Sequence, residues 1–560
     1  MRDILLKEMI RRLMGYAKPI WKELGISTLA SLLGSLGQMG FMVFGGLWIL
    51  SASGYGEVTL RNPVGMILCA LLVSISRYME GIYSHIGAYS ILAQFRIQLF
   101  HRLQALSPAI LVEEKIGNLL NIAIGDIETL EYFYAHTIGP MVTVVVLPLV
   151  SLGIAFSYSL WYGLVLLPVY LVVIVVIPWL SLRLGQQSGL KLRNALGALK
   201  GSLLETVYGM RDVQIFHEQE ARASLLNHWN DEVNRCQHSL SLFRQAISSV
   251  PNFFVYLARI GLVFVALSWI PVSEESWIGK VVVSLVASSS FASTFSLTFV
   301  ISHLVEAFAA AKRIFWIEDQ ILFVQDEGQE VLKEVESISF EQVSFAYPKQ
   351  NQFVLDQLDL KISAGETIGI IGESGSGKST LVRLLMRYYD PQQGKVTING
   401  VDIRNFSLET LHSKIALLEQ ETFLFDRSLE ENLRIANPLA REEELLEALS
   451  LAGVADIVDQ LTEGLQTSMG ELEGRISGGE KQRIGLARAI LKKADVLILD
   501  EPSANLDTLH ERELLRTIDH VYQKKTVIII SHRYSTLIHC DRIFEFKNQN
   551  LSLVFEKRKA

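Results

Sequence analysis

The amino-acid sequence predicts a multidomain membrane protein, in which a six-helix α-helical transmembrane domain with long cytoplasmic helical extensions precedes an α/β domain. Half of the residues are apolar and one fifth are charged, and the mean hydropathy of +0.30 is high for a soluble protein. Three long stretches lack Asp, Glu, Lys and Arg altogether. From residue 337 onward, short β-branched strands alternate with helices, which is typical of a soluble α/β domain.

The uncharged stretches are long enough to cross a bilayer, which requires about 20 apolar residues. The longest, 132–182, exceeds one span and breaks at Ser157-Tyr158-Ser159, so we expect two helices joined by a short turn. Two further predicted spans, 63–91 and 250–271, contain charged residues. The six predicted spans cover residues 24–52, 63–91, 138–156, 161–184, 250–271 and 280–303. The expected divisions are a transmembrane domain over 1–311, a linker over 312–336 and a soluble domain over 337–560.

The distribution of positive charge predicts the orientation. Lys and Arg are frequent before the first span and between spans four and five, whereas the connection 271–277 carries only Glu274 and Glu275. Because positively charged loops stay in the cytoplasm, both termini of this multi-pass cell-membrane protein are predicted to be cytoplasmic. Segment 3–16 is expected to lie along the inner membrane surface. Membrane lipid is therefore an expected partner, whereas the net charge of −8 argues against nucleic acid.

A glycine-rich motif, G-x-x-x-x-G-K-[ST], follows the apolar strand 367–371 and opens a helical pattern. In such a P-loop, backbone N–H groups surround phosphate oxygens, Lys378 supplies charge to the β- and γ-phosphates, and Ser379 can hold Mg²⁺. A chance glycine turn is improbable, because strand, motif and helix are in register. The predicted ATP-binding residues here are Gly372, Glu373, Ser374, Gly375, Ser376, Gly377, Lys378, Ser379 and Thr380.

A pair of carboxylates, Asp500 and Glu501, follows the apolar strand 496–499. Ligands of open α/β sheets bind at the carboxyl ends of the strands. We expect Asp500 to bind Mg²⁺, through water, and Glu501 to polarise the attacking water. Alone, such a pair is often a solvated turn. Together with Lys378, it predicts phosphoryl-transfer chemistry.

The segment Ile476-Ser477-Gly478-Gly479-Glu480 resembles the signature motif of ATP-binding-cassette (ABC) proteins. Other positions follow that family in order, and the resemblance implies their roles. Tyr347 would stack on adenine, Gln420 would sense Mg²⁺ in the Q-loop, and His532 would bond the γ-phosphate. Asp507 would belong to the D-loop. Taken singly, Tyr347 could be a core aromatic, Gln420 a surface amide and His532 a strand-end histidine. Taken together, these positions imply an ATP-hydrolysing cassette.

The signature motif also implies a dimer, because in ABC proteins it meets ATP held by the opposite cassette. One chain carries one cassette, so Ser477, Gly478, Gly479 and Glu480 would contact ATP bound to a second half-transporter. Ile476 and Glu480 depart from the commonest L-S-G-G-Q pattern. The residues expected to meet phosphate are intact. With Lys378, Glu501 and His532 also present, this half is expected to be catalytically competent.

Six spans followed by one cassette resemble an exporter-type ABC half-transporter across the whole chain. Two cytoplasmic stretches, 112–120 and 205–216, resemble its coupling loops, although ordinary amphipathic helix surface is an alternative interpretation. Importers are disfavoured, because their membrane and ATPase parts usually lie on separate chains.

The second span contains an Arg-Tyr-x-Glu…Ser-His pattern from Arg77 to His85, which resembles the CydC subunits of CydDC exporters, as does segment 470–475. This resemblance implies a heterodimer with a CydD-like subunit, export of cysteine and/or glutathione, and support of cytochrome bd assembly and redox homeostasis. It also implies haem, with His85 as the ligand and Arg77 beside it. Gly81 stands where that family commonly has arginine.

Alternatives remain open. The chain could be a subunit of a lipid or multidrug exporter, heterodimeric or homodimeric, or a haem-responsive membrane sensor ATPase. Ionisable groups inside a span are functional candidates by default, but an internal Arg77–Glu80 ion pair explains those charges equally well. Arg259 in span five is a further candidate for binding an anionic group.

Overall fold

The computed structural model describes residues 6–54, 59–114, 116–268, 274–348, 350, 352–461, 463–470, 476–502, 508–547 and 549–557. The chain divides into two compact units. The first comprises Met1–Gln104 and Glu114–Gln320, and the second comprises Ala105–Glu113 and Ile321–Ala560. The division after Gln320 falls inside the linker predicted over 312–336.

The described residues of the first unit are helical apart from short turns. The helices in chain order are α1 (Leu6–Tyr16), α2 (Trp21–Ala52), α3 (Arg61–Leu106), α4 (Ala109–Glu113), α5 (Ile116–Asn121), α6 (Ile127–Thr129), α7 (Glu131–His136), α8 (Ile138–Tyr158), α9 (Leu160–Leu171), α10 (Ile177–Tyr208), α11 (Met210–Ile215), α12 (Gln219–Ser268) and α13 (Glu274–Glu318). Among them, α4 belongs to the second unit. Wider π-type turns at Ile122–Asp126 and Val172–Val176 continue the helical path between neighbouring segments.

Several of these helices are longer than a bilayer is thick. Helix α3 contains 46 residues, α12 contains 50 and α13 contains 45. At 1.5 Å per residue a 46-residue helix is about 69 Å long, whereas the hydrocarbon core measures about 30 Å. The helices therefore continue well beyond their apolar segments, as the sequence predicts.

Five helical segments of the described chain are long and apolar enough to cross a membrane. They are Lys18–Ala52, Arg61–Leu106, Ile116–Tyr158, Leu160–Leu180 and Ser249–Leu267. A shorter apolar segment, Ile278–Ala292, overlaps the predicted sixth span, 280–303, and lies within the continuous helix α13. Apolar helix is present within each predicted span, and residues 269–271 of the fifth lie outside the described residues.

The short turn predicted inside 132–182 is present. Ser159 has an extended backbone (φ −165°, ψ 140°), which ends α8, and its hydroxyl accepts a hydrogen bond from Trp161 N (3.4 Å) at the start of α9. Serine is a favourable N-cap, because its oxygen satisfies an amide that lacks a helical partner. The two helices therefore separate at the predicted position.

Buried hydroxyl groups connect three helices inside this unit. Tyr170 on α9 donates to Ser151 Oγ on α8 (3.0 Å) and is also hydrogen-bonded to Ser290 on α13. Its ring packs against Phe291, with 4.8 Å between the ring centroids. These three hydroxyl groups are thus satisfied by one another inside an apolar core.

The second unit contains two sheets. Its strands are β1 (Ser337–Phe345), β2 (Leu355–Ser363), β3 (Thr367–Ile371), β4 (Gln393–Ile398), β5 (Val401–Asp402), β6 (Ile415–Leu418), β7 (Val496–Asp500), β8 (Thr526–Ser531), β9 (Arg542–Lys547) and β10 (Asn550–Glu556). Its helices after α4 are α14 (Lys378–Leu385), α15 (Leu408–Lys414), α16 (Leu429–Arg434), α17 (Glu442–Leu451), α18 (Ala455–Gln460), α19 (Gly478–Lys492) and α20 (Thr508–Val521). The antiparallel sheet has the order β2-β1-β4-β5 and the larger sheet β10-β9-β3-β8-β7-β6.

The centre of the larger sheet is parallel and buried on both faces. Strand β8 is buried along its whole length, and β3 and β7 are buried except at one terminal residue each. Parallel strands covered on both faces are almost continuously apolar, which explains their sequences. The register aligns Ile371 with Ser531, Asp500 with Ile530, and Leu418 with Leu499. The carboxyl ends of β3, β8, β7 and β6 therefore share one edge.

Candidate functional site

The glycine-rich loop joins β3 to α14 at this edge. Gly375 and Gly377 have φ values of 78° and 121°, a region that favours glycine. A Cβ atom on Gly377 would lie 3.0 Å from Phe546 Cζ and 3.1 Å from Val354 Cγ1. The glycines thus allow the loop to curl, and the N–H groups at the start of α14 are available to an anion.

Lys378 is nearly buried beneath the loop. Its Nζ donates to the carbonyl oxygens of Gly372 (2.7 Å) and Glu373 (2.8 Å). Burial lowers the pKa of Lys378, and the negative charges of Glu501 and Asp500 offset part of this effect. The ammonium group is therefore held by the loop, near the carboxylates at the end of β7.

Asp500 ends β7 beside the loop and is hydrogen-bonded by the Ser379 side chain. Burial raises the pKa of Asp500, and the Glu501 charge acts in the same direction, while Ser379 and Lys378 oppose them. Within the described chain, the buried atoms Asp500 Oδ1 and Ser376 Oγ lack hydrogen-bond partners. Unpaired buried oxygens are costly. A hydroxyl and a carboxylate oxygen are suitable ligands for Mg²⁺, so this donor set fits a magnesium–phosphate ligand.

Glu501 adopts a left-handed backbone conformation, with φ at 53°. Its N–H donates to Ile530 O (2.9 Å), and its Oε2 lies 2.6 Å from His532 Nδ1. Non-glycine residues in this backbone region are strained, and such residues cluster at functional sites. The structure thus joins two residues that the sequence selected separately, and the histidine holds the carboxylate in place.

Tyr347 lies beside the start of α14. Its hydroxyl is 3.0 Å from Thr380 Oγ1 and accepts a hydrogen bond from Arg383 (2.6 Å). Its ring packs edge-on against Phe345 and Tyr389, with centroid distances of 5.0 and 5.4 Å. Stacking of this ring on adenine stays a prediction. Arg383, which the sequence analysis did not select, connects Tyr347 to α14.

Gln420 is exposed two residues after β6. Glu419, between the strand and Gln420, is a site residue that sequence analysis missed. Burial raises the pKa of Glu419, the Asp500 charge adds to the rise, and Arg383 opposes it. The signal that could have revealed Glu419 is the one that revealed Asp500, namely an acid at the end of an apolar strand.

The signature segment begins α19. Ser477 is the N-cap: its Oγ accepts from Glu480 N (3.3 Å), and Glu480 Oε2 accepts from both Ser477 N and Ser477 Oγ (2.7 Å each). This reciprocal capping box explains why Glu480 is compatible with the helix start. Gly478 and Gly479 form its first turn. Asp507 and residues 471–475 lie outside the described residues.

In the membrane unit, the structure contains the Arg77–Glu80 ion pair, with 2.8 Å between Arg77 Nη1 and Glu80 Oε2. His85 instead approaches Glu131, with 3.0 Å between Nδ1 and Oε1. Arg259 on α12 lies 5.5 Å from the ring centroid of Tyr256, and its buried Nε lacks a hydrogen-bond partner among the described residues. These charged residues form separate local arrangements.

A phosphate-binding loop, a buried lysine and two carboxylates at one sheet edge define a P-loop nucleoside triphosphatase. Its helical companion unit contains membrane-spanning segments. Matches to known protein families agree with this classification. Residues 24–295 match the family model for the ABC transporter transmembrane region, and residues 355–504 match the family model described as ABC transporter. The chain belongs to the ABC transporter family.

Relatives match over nearly the whole chain. It is 32% identical to a probable ABC transporter ATP-binding/permease protein of Haemophilus influenzae, covering 92% of this chain and 95% of that one. It is 31% identical to the glutathione/L-cysteine transport system protein CydC of the same organism, covering 93% and 92%. It is 27% identical to the ATP-dependent lipid A-core flippase of Shewanella oneidensis, covering 95% and 92%.

These matches identify the chain as an ABC exporter half-transporter. Its membrane and ATP-binding domains on one chain imply ATPase activity coupled to transport. The protein is integral to a membrane, and a half-transporter functions as a dimer. The cargo and the partner differ among relatives of similar identity, so the family alone leaves them undetermined.

Proposed function

We propose that the chain is a CydC-like subunit that pairs with a different, CydD-like half-transporter and exports cysteine and/or glutathione from the cytoplasm. The observation that carries this proposal is the similarity to the CydC protein over 93% of the chain. Support of cytochrome bd assembly and redox homeostasis would follow from such export. A homodimer is the alternative assembly.

The proposed hydrolytic site uses the geometry at the sheet edge. The P-loop and Lys378 bind the phosphates, while Ser379 and Asp500, with Gln420, hold Mg²⁺. Magnesium neutralises charge that develops on the transferred phosphoryl group. Glu501 polarises the attacking water and His532 keeps that carboxylate oriented. Their 2.6 Å contact supports this assignment.

Exposed aromatic side chains in the first unit support a second subunit. In segment 205–216, Tyr208 is 87% exposed and Phe216 is 71% exposed. Large aromatic side chains at such exposure are suited to burial against a partner. We propose that this segment is a coupling loop and that the exposed N-terminus of α19 contacts ATP on the other cassette.

Arg259 supports an anionic cargo. It lies in the apolar segment Ser249–Leu267, and its buried Nε has no hydrogen-bond partner among the described residues. An arginine within a span is costly, so its retention points to a function. Glutathione and cysteine both carry carboxylates that a guanidinium can bind.

The proposed location is the cell membrane, with both termini in the cytoplasm. The Lys and Arg residues before the first span and between spans four and five support this orientation. The cassette then lies where cytoplasmic ATP is available.

The decisive test is ATP-driven uptake of labelled cysteine and glutathione into inside-out vesicles that contain this chain with candidate partners. We expect uptake that Glu501→Gln abolishes and Arg259→Ala lowers about tenfold, with basal ATP hydrolysis retained in the latter. Arg235→Ala is the matched control, because Arg235 lies on the same helix and pairs with Glu232 at the surface. A hydrolysing complex that moves neither thiol contradicts the proposal.

A lipid flippase is the second candidate, favoured by the similarity to the lipid A-core flippase over 95% of the chain. It predicts that lipid A stimulates ATP hydrolysis in nanodiscs and that thiols do not. Parallel measurements with lipid A, cysteine and glutathione on the same preparation therefore distinguish the two candidates.

A further inference from the structure

A cluster of three ionisable side chains lies where α3 approaches α7. His85 belongs to α3, whereas Glu131 and His136 belong to α7. One potential ligand atom from each residue lies within 4.8 Å of the other two. The rings of His85 and His136 are nearly perpendicular, with centroids 5.2 Å apart. All three side chains are half-buried, so water and small ions can reach them.

His85 Nδ1 and Glu131 Oε1 are 3.0 Å apart. This close approach is not a hydrogen bond, because the buried Nδ1 has no hydrogen-bond partner in the described part of the chain. An imidazole nitrogen and a carboxylate oxygen thus lie close together without a hydrogen bond of good geometry between them. Such an arrangement is unfavourable unless a cation completes it.

These residues do not fit the haem that the sequence resemblance implies. Arg77, which the resemblance places beside the haem, is engaged with Glu80 at 2.8 Å. The Nδ1 of His85 faces a carboxylate oxygen at 3.0 Å, which obstructs coordination of a haem through that nitrogen. The cluster offers two imidazoles and one carboxylate to a common point, which suits a small cation.

We propose that His85, Glu131 and His136 form a binding site for a divalent transition metal of the Zn²⁺ class. Two histidines and one glutamate are an established zinc ligand set, with a fourth position left to water or another ligand. A tetrahedral ion with bonds of about 2.1 Å holds its ligand atoms roughly 3.4 Å apart. The His85–Glu131 pair, at 3.0 Å, is already near this separation, and all three ligand atoms lie within 4.8 Å of one another.

The surrounding aromatic residues support this geometry. Tyr132, the neighbour of Glu131, stacks on His303 of α13, with centroids 4.2 Å apart and planes 9° apart. Its ring also lies 5.9 Å from that of His136. Helix α13 thus holds the α7 side of the cluster. A bound metal would join α3 to α7 and so restrain the helix that follows, α8.

The test is Co²⁺ titration of the purified full-length transporter after chelator treatment, monitored by visible d–d absorption. We expect one Co²⁺ per chain, displaced by Zn²⁺. His136→Ala and Glu131→Gln should each weaken binding at least about tenfold, because each removes a ligand. His101→Ala is the matched control, since His101 lies about 24 Å further along the same helix, α3.

Two outcomes overturn the proposal. One is the absence of saturable Co²⁺ binding, or binding that neither substitution weakens; the contact with Glu131 is then an ion pair alone. The other is a haem Soret band that His85→Ala removes and Glu131→Gln and His136→Ala leave unchanged. Retained basal ATP hydrolysis and an unchanged elution volume show that the variants remain folded.

Discussion

The ATPase unit and the membrane unit distribute their polar side chains differently. In the ATPase unit, Lys378, Asp500, Glu501 and His532 converge on one sheet edge, although they lie far apart in sequence. In the membrane unit, charged residues form dispersed pairs such as Arg77–Glu80 and Arg313–Asp126. The first pattern defines a reaction that the whole family shares. The second consists of local pairs within a helix or between helices and leaves the cargo to a few residues, as expected when function depends on the site and not on the fold.

The largest effect is expected in the ATPase unit. Glu501→Gln should lower ATP turnover at this chain's site at least about 100-fold, because the amide cannot polarise water, while ATP binding persists. Vanadate trapping of labelled nucleotide on this chain separates its turnover from that of a partner. Glu447→Gln, at an exposed position on α17, is the matched control. Turnover within tenfold of the wild type would contradict the role assigned to Glu501.

A stability effect is expected in the membrane unit. Asp126, almost fully buried, forms a bidentate ion pair with Arg313 on α13. Asp126→Asn should lower the free energy of unfolding by about 3 kcal/mol, because a largely buried guanidinium loses its charged partner. Thermal unfolding in detergent measures this effect.

Asp231→Asn, at an exposed position, is the control for that measurement. Combining Asp126→Asn with Arg313→Gln should be less destabilising than the sum of the single changes, because the two side chains interact directly. Strict additivity would show that the pair is not the source of the stability.

The smallest effect is expected at the N-terminal helix. Arg12 contacts both carboxylate oxygens of Asp319 (2.7 and 2.8 Å) and lies 4.4 Å from the ring centroid of Phe315. Asp319 is 51% exposed, so solvent screens the pair. Arg12→Ala should therefore cost at most about 1 kcal/mol of stability, and added salt should reduce the difference.

Arg11→Ala is the matched control, since Arg11 is mostly exposed and only distantly paired with Glu8. If Arg12→Ala destabilised the protein as much as Asp126→Asn does, the distinction between surface and buried pairs in this unit would fail. The same thermal assay decides this.

The sequence predicted most of the fold because its signals are local. Uninterrupted apolar stretches located the membrane helices, and Ser159 located the turn between two of them. The P-loop could be recognised because phosphate is bound largely by backbone N–H groups, and glycines at fixed spacing are what that backbone requires. Glu419 lies at the end of an apolar strand, as Asp500 does, but its proximity to Asp500 depends on β6 lying beside β7.

By itself, the sequence determined the class of protein, since hydrophobic length, nucleotide motifs and strand-end carboxylates are properties of contiguous residues. Only the tertiary structure decided how distant residues pair. His85 was selected from its position in a span, but Glu131 and His136 became its neighbours when α7 packed near α3. The reason is that ligand geometry requires atoms from separate helices to meet within a few ångströms, and hydrophobic periodicity specifies helices but not their meeting points.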